Sequence, residues 1–180
     1  MKRFLIGLAV AAVAALGFGS VAASASAAKL QTFGTGTVTV SGDSATIVNE
    51  TGQYGGVYIN SKNQSGKPLG AVSFSFQSTG DVAGGAPRFS IPIDTDGVGG
   101  TVEGYAFLDA AGCGGVSGQS TTVSTTVATC KVSFNSPNYN YDSWDAFAAA
   151  NPSYRIAPGA IPFIIADAAG SYAVNSIDLR

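Results

Sequence analysis

Val72-Ser-Phe-Ser-Phe-Gln77 alternates apolar and polar residues without a break. Successive side chains of an extended strand point to opposite faces, so this run can keep one face dry and the other wet only as a strand. Wound into a helix, Val72 and Phe76 would share a face but Phe74 would lie nearly opposite them. The run therefore predicts a half-buried antiparallel strand. The same period returns in Arg88-Phe-Ser-Ile-Pro-Ile-Asp94, with Phe89, Ile91 and Ile93 in phase. A partner follows in Thr101-Val-Glu-Gly-Tyr-Ala-Phe-Leu-Asp109, apolar on both faces near its end and so expected at the centre of a sheet. Between the two lies an acidic, glycine-rich turn, which makes the pair a hairpin. Pro92 has no N–H to give a ladder and is expected at an edge or beside a bulge.

The rest of the chain follows suit. Gly36 to Ser41 and Ser44 to Asn49 flank a Gly42-Asp43 turn and read as a hairpin. Gly55 to Asn60 is a third strand, and Asn63 to Pro68 is a polar turn cluster. Thr121 to Thr129 reads as a strand that continues through Cys130 to Phe134 after a bulge, and Ile161–Asp167 and Tyr172–Leu179 close the chain. One helix is expected: Asp142 or Ser143 caps it, Trp144, Phe147 and Ala148 share a face, and Asn151-Pro152 ends it. Many short strands spaced by turns, with one short helix, indicate an all-β, antiparallel two-sheet β-sandwich. The sequence contains neither an internal repeat nor a nucleotide-binding glycine fingerprint.

The amino terminus reads as an export signal. Met1-Lys2-Arg3 is basic, an apolar run of about a dozen residues follows, and Ala25-Ser26-Ala27 suits a signal peptidase. The expected division is a signal peptide over 1–27 and a single domain over 28–180, secreted and with no membrane association after cleavage. Of nine basic residues, Lys2 and Arg3 leave with the signal, so seven remain against eleven acidic ones. That balance excludes nucleic acid as a natural partner, because phosphate backbones need a concentrated positive surface. Cys113 and Cys130 are the only two cysteines, and in an exported protein they are expected to pair.

Two stretches carry candidate chemistry. Asp94-Thr-Asp96-Gly-Val98-Gly99 matches the first, third and sixth positions of a calcium loop, with Val98 where a fifth-position oxygen would stand. Glu103 is the nearest carboxylate able to complete a set with Asp94 and Asp96 around a structural calcium. The same residues also suit a plain Asp-Gly turn whose carboxylates accept backbone N–H groups. Further on, Asn138-Tyr-Asn-Tyr-Asp-Ser-Trp-Asp145 mixes aromatic rings with planar polar groups, the two components of sugar recognition. Tyr139, Asn140, Tyr141 and Trp144 are the candidate ligand contacts; alternatively, Trp144 and Phe147 bury the helix while the tyrosines cover its edge. Histidine is absent, so Ser-His-Asp, Cys-His and histidine-based metal sites are excluded. Carboxylate pairs drawn from Glu50, Glu103 and the nine aspartates have no distinguishing spacing.

The closing Ser171-Tyr-Ala-Val-Asn-Ser-Ile-Asp-Leu179 resembles the last strand of jelly-roll, galactose-binding-like carbohydrate-binding modules. The order of strands over most of the chain is similar to theirs. The Ile93-Asp-Thr-Asp-Gly97 turn and the Trp144 to Pro152 segment also look like small secreted actinobacterial proteins of unassigned function. The first resemblance implies a jelly roll that binds glycan on a sheet face or at loop tips, with a structural calcium and no required cofactor. The sequence thus points to a secreted, non-catalytic binding protein for a neutral glycan or cell-envelope polysaccharide. The alternatives are a structural or adhesive protein that contacts other proteins, including copies of itself, and a carboxylate-based polysaccharide-degrading enzyme.

Overall fold

A computed structural model of the protein describes residues 29–60, 64–98, 100–136 and 138–180. The stretch over 1–27 where a signal peptide is expected lies outside the described residues, as do Gly99 of the acidic turn and Asn63 of the polar cluster. Twelve strands form: β1 (Lys29–Gly34), β2 (Thr37–Ser41), β3 (Ser44–Asn49), β4 (Gly55–Asn60), β5 (Phe74–Gly80), β6 (Arg88–Asp94), β7 (Gly104–Asp109), β8 (Thr121–Ser124), β9 (Ser133–Phe134), β10 (Arg155–Ile156), β11 (Phe163–Ala166) and β12 (Gly170–Leu179). A helix, α1 (Trp144–Ala150), precedes β10, and Leu69–Ala71 makes one 3-10 turn.

The strands build two antiparallel sheets. A seven-stranded sheet has the order β1-β4-β11-β6-β7-β9, with β10 also paired to β6; a five-stranded sheet runs β2-β3-β12-β5-β8. The pairs β3·β12, β4·β11, β5·β8 and β6·β7 nest one inside the next and alternate between the sheets. That nesting is the wrapped hairpin of a jelly roll. The core lies between the sheets. Phe74 and Phe76 from β5 meet Phe89 from β6 at ring-centroid distances of 6.0 and 4.9 Å. Val57, Ile59, Ile91, Ile93, Leu108 and Ile164 fill the seven-stranded side, each fully buried. Val72, Phe74 and Phe76 all face inward, as their period predicts.

Pro92 does not lie on an edge strand. β6 is interior, with β7 along one side and β10 and β11 end to end along the other. β10 covers Ile93 and Asp94, β11 covers Arg88 to Ser90, and Pro92 sits in the interruption, its carbonyl accepting from Ala157 N at 2.9 Å. The missing N–H therefore falls where no ladder bond was due. The segment from Thr121 to Phe134 is also not one bulged strand: β8 pairs with β5 in one sheet, whereas β9 pairs with β7 in the other. Cys113 and Cys130 are bonded, S–S 2.04 Å, and tie the end of β7 to the approach of β9.

The helix is held by packing, since two turns do not stand alone in water. Ser143 caps it, its side chain accepting from Ala146 N at 3.1 Å. Trp144 Nε1 donates to Leu69 O at 2.9 Å, and Phe147 is fully buried against Phe134.

Candidate functional site

The acidic turn joins β6 to β7. One carboxylate oxygen each from Asp94, Asp96 and Glu103 lies within 4.8 Å of the others. The turn uses these groups locally. Asp94 Oδ1 accepts from Gly97 N at 2.7 Å, Asp96 Oδ1 accepts from Val98 N at 2.9 Å, and Glu103 Oε2 accepts from Thr95 N at 2.8 Å and from the Thr95 hydroxyl. The Gly97 N–H, with help from Gly100, holds the Asp94 carboxyl below its ordinary value against the opposing effect of burial. The two Thr95 donors do the same for Glu103, hydroxyl first. The Asp-Gly turn with backbone N–H donors is thus present, and the three carboxylates converge within it.

The four aromatic-segment residues do not form one surface. Trp144 is 2% exposed and spends its only donor on Leu69, so its ring is closed to any ligand at the surface. Tyr141 packs on Phe147 at 4.9 Å, and its hydroxyl accepts from Asn151 Nδ2 at 3.3 Å. Asn140 is spent on the backbone of Phe134, accepting from its N at 2.8 Å and donating to its O at 3.0 Å. These contacts brace the loop between β9 and α1. Tyr139 alone, 41% exposed, presents a ring to the outside.

Tyr139 borders a cleft of about 550 Å³ that the sequence did not reveal. Its walls come from the Gly84-Gly85 turn, Arg88 of β6, Phe107 and Asp109 of β7, and Lys131 and Asn138 beyond β8. Asp109 is the central group. It is 5% exposed, and its Oδ1 accepts from Gly112 N at 2.6 Å and from the Tyr139 hydroxyl at 2.7 Å. Burial first, then the bond to Asp109 and its charge, raises the Tyr139 phenol well above its ordinary value, so it stays a donor. Among the described residues no group donates to Asp109 Oδ2, which lies beside Gly85: a β-carbon built there would stand 3.8 Å from that oxygen. Arg88 is opposite Asp109 in the β6·β7 register but is turned to Asp167, with Nη1 and Nη2 donating to its two carboxylate oxygens at 3.1 and 2.6 Å. Among the described residues Arg88 Nε is buried without a partner.

From the cleft an aromatic strip crosses the outer face of the seven-stranded sheet. Register aligns Tyr58, Phe163, Ser90 and Phe107 across β4, β11, β6 and β7. Phe33 of β1 stands opposite Gly56, where a β-carbon would meet the Phe33 ring at 2.5 Å; glycine lets the ring lie down on the sheet. Ring centroids are 4.5 Å apart for Phe33 and Tyr58, 5.8 Å for Tyr58 and Phe163, 5.7 Å for Phe163 and Tyr105, and 6.4 Å for Tyr105 and Phe107. All five rings are half-buried. At the cleft end, the Arg88 guanidinium lies 5.2 Å over Phe107. The available signal was phase: Tyr105 and Phe107 alternate with the core residues Ala106 and Leu108, so they had to face outward.

Comparison of the chain with protein-family models, curated proteins and solved structures finds no match.

Proposed function

We propose that this is an exported, non-catalytic protein that binds a neutral glycan in the Asp109 cleft. One observation supports this above the others: a buried carboxylate with one oxygen saturated by Tyr139 and Gly112 and the other without a protein donor, at the wall of a cleft bordered by aromatic rings. A hydroxyl is the donor such an oxygen accepts, and a polyol also offers C–H faces to Tyr139 and Phe107. The charges around the cleft balance, Lys131 against Asp109 and Arg88 against Asp167, so a neutral ligand meets no net field there. Export is supported by the Cys113–Cys130 bond, of the kind that persists in oxidising compartments. A structural calcium at Asp94, Asp96 and Glu103 is proposed with it, supported by their convergence and outside the binding step.

The test is affinity electrophoresis through soluble cellulose derivatives, xylan, mannan, glycol chitin and galactan, followed by calorimetry on any that retard the protein. Retardation by at least one, weakened about tenfold or more in Tyr139→Ala, a variant less stable but still folded at the assay temperature, is the expected result. Unretarded migration through every polymer overturns the reading.

A further inference from the structure

We infer that the cleft reads one free sugar hydroxyl, seated against Gly85 between the Asp109 carboxylate and the Arg88 guanidinium, and that Gly85 sets this specificity. The inference rests on the glycan reading of the cleft and adds which group of the ligand is recognised. Gly85, Arg88 and Asp109 wall the same cleft. A β-carbon built on Gly85 would stand 3.7 Å from Arg88 Nη1 and 3.8 Å from Asp109 Oδ2. Among the described residues, and leaving aside the chain neighbours of the glycine, those are the two atoms within 4 Å of that point. The absent side chain thus leaves a space that one donor and one acceptor share.

Both atoms have bonding capacity left. Asp109 is 5% exposed, and its two donors, Gly112 N and the Tyr139 hydroxyl, both go to Oδ1. Oδ2 is the unpaired half of a nearly buried carboxylate. A guanidinium has five N–H groups, two of them on each Nη. Arg88 Nη1 gives one to Asp167 Oδ1 at 3.1 Å and has a second. The bond from Nη2 to Asp167 Oδ2, at 2.6 Å, holds the guanidinium in this orientation. Arg88 and Asp109 do not close the space on each other, because the ion pair of Arg88 is with Asp167.

Those capacities select the ligand group. A hydroxyl donates and accepts through one oxygen, so from one position it can satisfy both Oδ2 and Nη1. An ether or a carboxylate accepts from Nη1 and gives Oδ2 nothing. An ammonium or an amide N–H serves Oδ2 and accepts nothing from Nη1. Hydrogen bonds to charged partners are the stronger kind, and a ligand lacking the donor would cover Oδ2 and leave it unpaired. The cleft therefore prefers a sugar whose hydroxyl is unsubstituted at this position over its deoxy, fluoro and O-methyl counterparts.

The experiment has two arms, both on the intact protein. In the first, Gly85→Ala is compared with the parent and with Gly52→Ala by affinity electrophoresis in the polymer that retards the parent. Gly52 has φ +81° against +80° for Gly85, has open space where its β-carbon would stand, and is not among the cleft walls. It therefore carries the same backbone strain without filling the cleft. Gly85→Ala should lose about tenfold or more in affinity while Gly52→Ala binds as the parent does, both shown to be folded by circular dichroism. In the second arm, methyl glycosides of the bound sugar, each hydroxyl replaced in turn by hydrogen, fluorine or methoxy, compete in ligand-observed NMR. One position should lose about tenfold or more in all three forms. Should Gly85→Ala not fold, this arm decides alone. Unchanged binding by Gly85→Ala, or equal weakening in both glycine variants, overturns the inference and leaves the cleft reading standing. Fluoro forms that bind as well as the hydroxyl at every position also overturn it, since no hydroxyl then donates to Oδ2. Binding of no sugar by the parent overturns both.

Discussion

The Tyr139 hydroxyl donates to Asp109 Oδ1 at 2.7 Å, linking the loop before α1 to the last residue of β7. Burying a carboxylate to 5% exposure is costly unless donors meet it, and among the described residues Gly112 N and Tyr139 are the two that do. Tyr139→Phe removes one of them. The expected cost is about 1 kcal/mol, at the low end for a charged hydrogen bond because the ring is partly in water. Urea unfolding of the two proteins at neutral pH measures it.

The same bond predicts an alkaline limb. The folded state holds the Tyr139 proton more tightly than the ordinary phenol value of about 10 at which the unfolded chain releases it. Its contribution is therefore complete below that pH and is lost as pH rises toward the folded value. Tyr172, raised by burial and then by the charges of Asp81 and Asp167, adds a second contribution of the same sign. Stability measured across the alkaline range should fall less steeply in Tyr139→Phe, with the remaining slope belonging to Tyr172. Parallel slopes would refute the assignment.

Replacing both cysteines by serine should cost roughly 3 kcal/mol, the chain-entropy value for a loop of this size. The consequence is local as well. Asp109, Gly112 and Lys131 flank the bridge, so glycan affinity in the double serine variant should weaken together with stability. Unfolding and calorimetry on the same preparation separate the two effects.

Trp144 gives an optical prediction. Its indole is buried beside Phe74 and Phe147 and bonded to Leu69, and it is not among the residues that wall the cleft. Its emission should be blue-shifted, resistant to acrylamide, and unchanged when a glycan binds. Trp144→Ala should destabilise by about 3–5 kcal/mol, the range for an emptied aromatic site. A ligand-dependent change in tryptophan emission would place the site elsewhere.

The layout of strands was legible because burial on one face imposes a period that survives in the residues themselves. Phe74, Phe76, Phe89, Ile91 and Ile93 declare their side without reference to any neighbour. β1 was missed because Leu30 and Phe33, three apart, fall on opposite faces of an exposed edge and leave no period to read. The switch between β8 and β9 is invisible locally, since a chain changing sheets looks the same as one with a bulge. The site was harder still. Arg88, Asp109 and Tyr139 come from three separate segments and meet only through sheet register and a loop. Trp144, beside amides and carboxylates in sequence, is carried inward by the helix it begins. Position along the chain suggested a sugar surface, and of its three rings the fold leaves only Tyr139 well exposed.

The acidic turn provides the last prediction. Asp94 and Glu103 are both held below their ordinary values in the folded state, by Gly97 N–H and by Thr95 respectively. The unfolded chain takes up these protons near pH 4, at about 3.9 for aspartate and 4.3 for glutamate. The stabilisation is thus complete above those values and is lost as pH falls through the lower, folded ones. Asp94→Asn keeps an acceptor for Gly97 but loses the charge, so it should melt lower at neutral pH and show a shallower decline in acid. The proposed calcium would sit on the same three carboxylates. If it binds, an excess should raise the melting temperature at neutral pH and EDTA should reverse the rise, with both effects gone in Asp94→Asn. Without binding, the curves in calcium and EDTA superimpose while the acid limb persists, because Gly97 and Thr95 donate whether or not an ion is present.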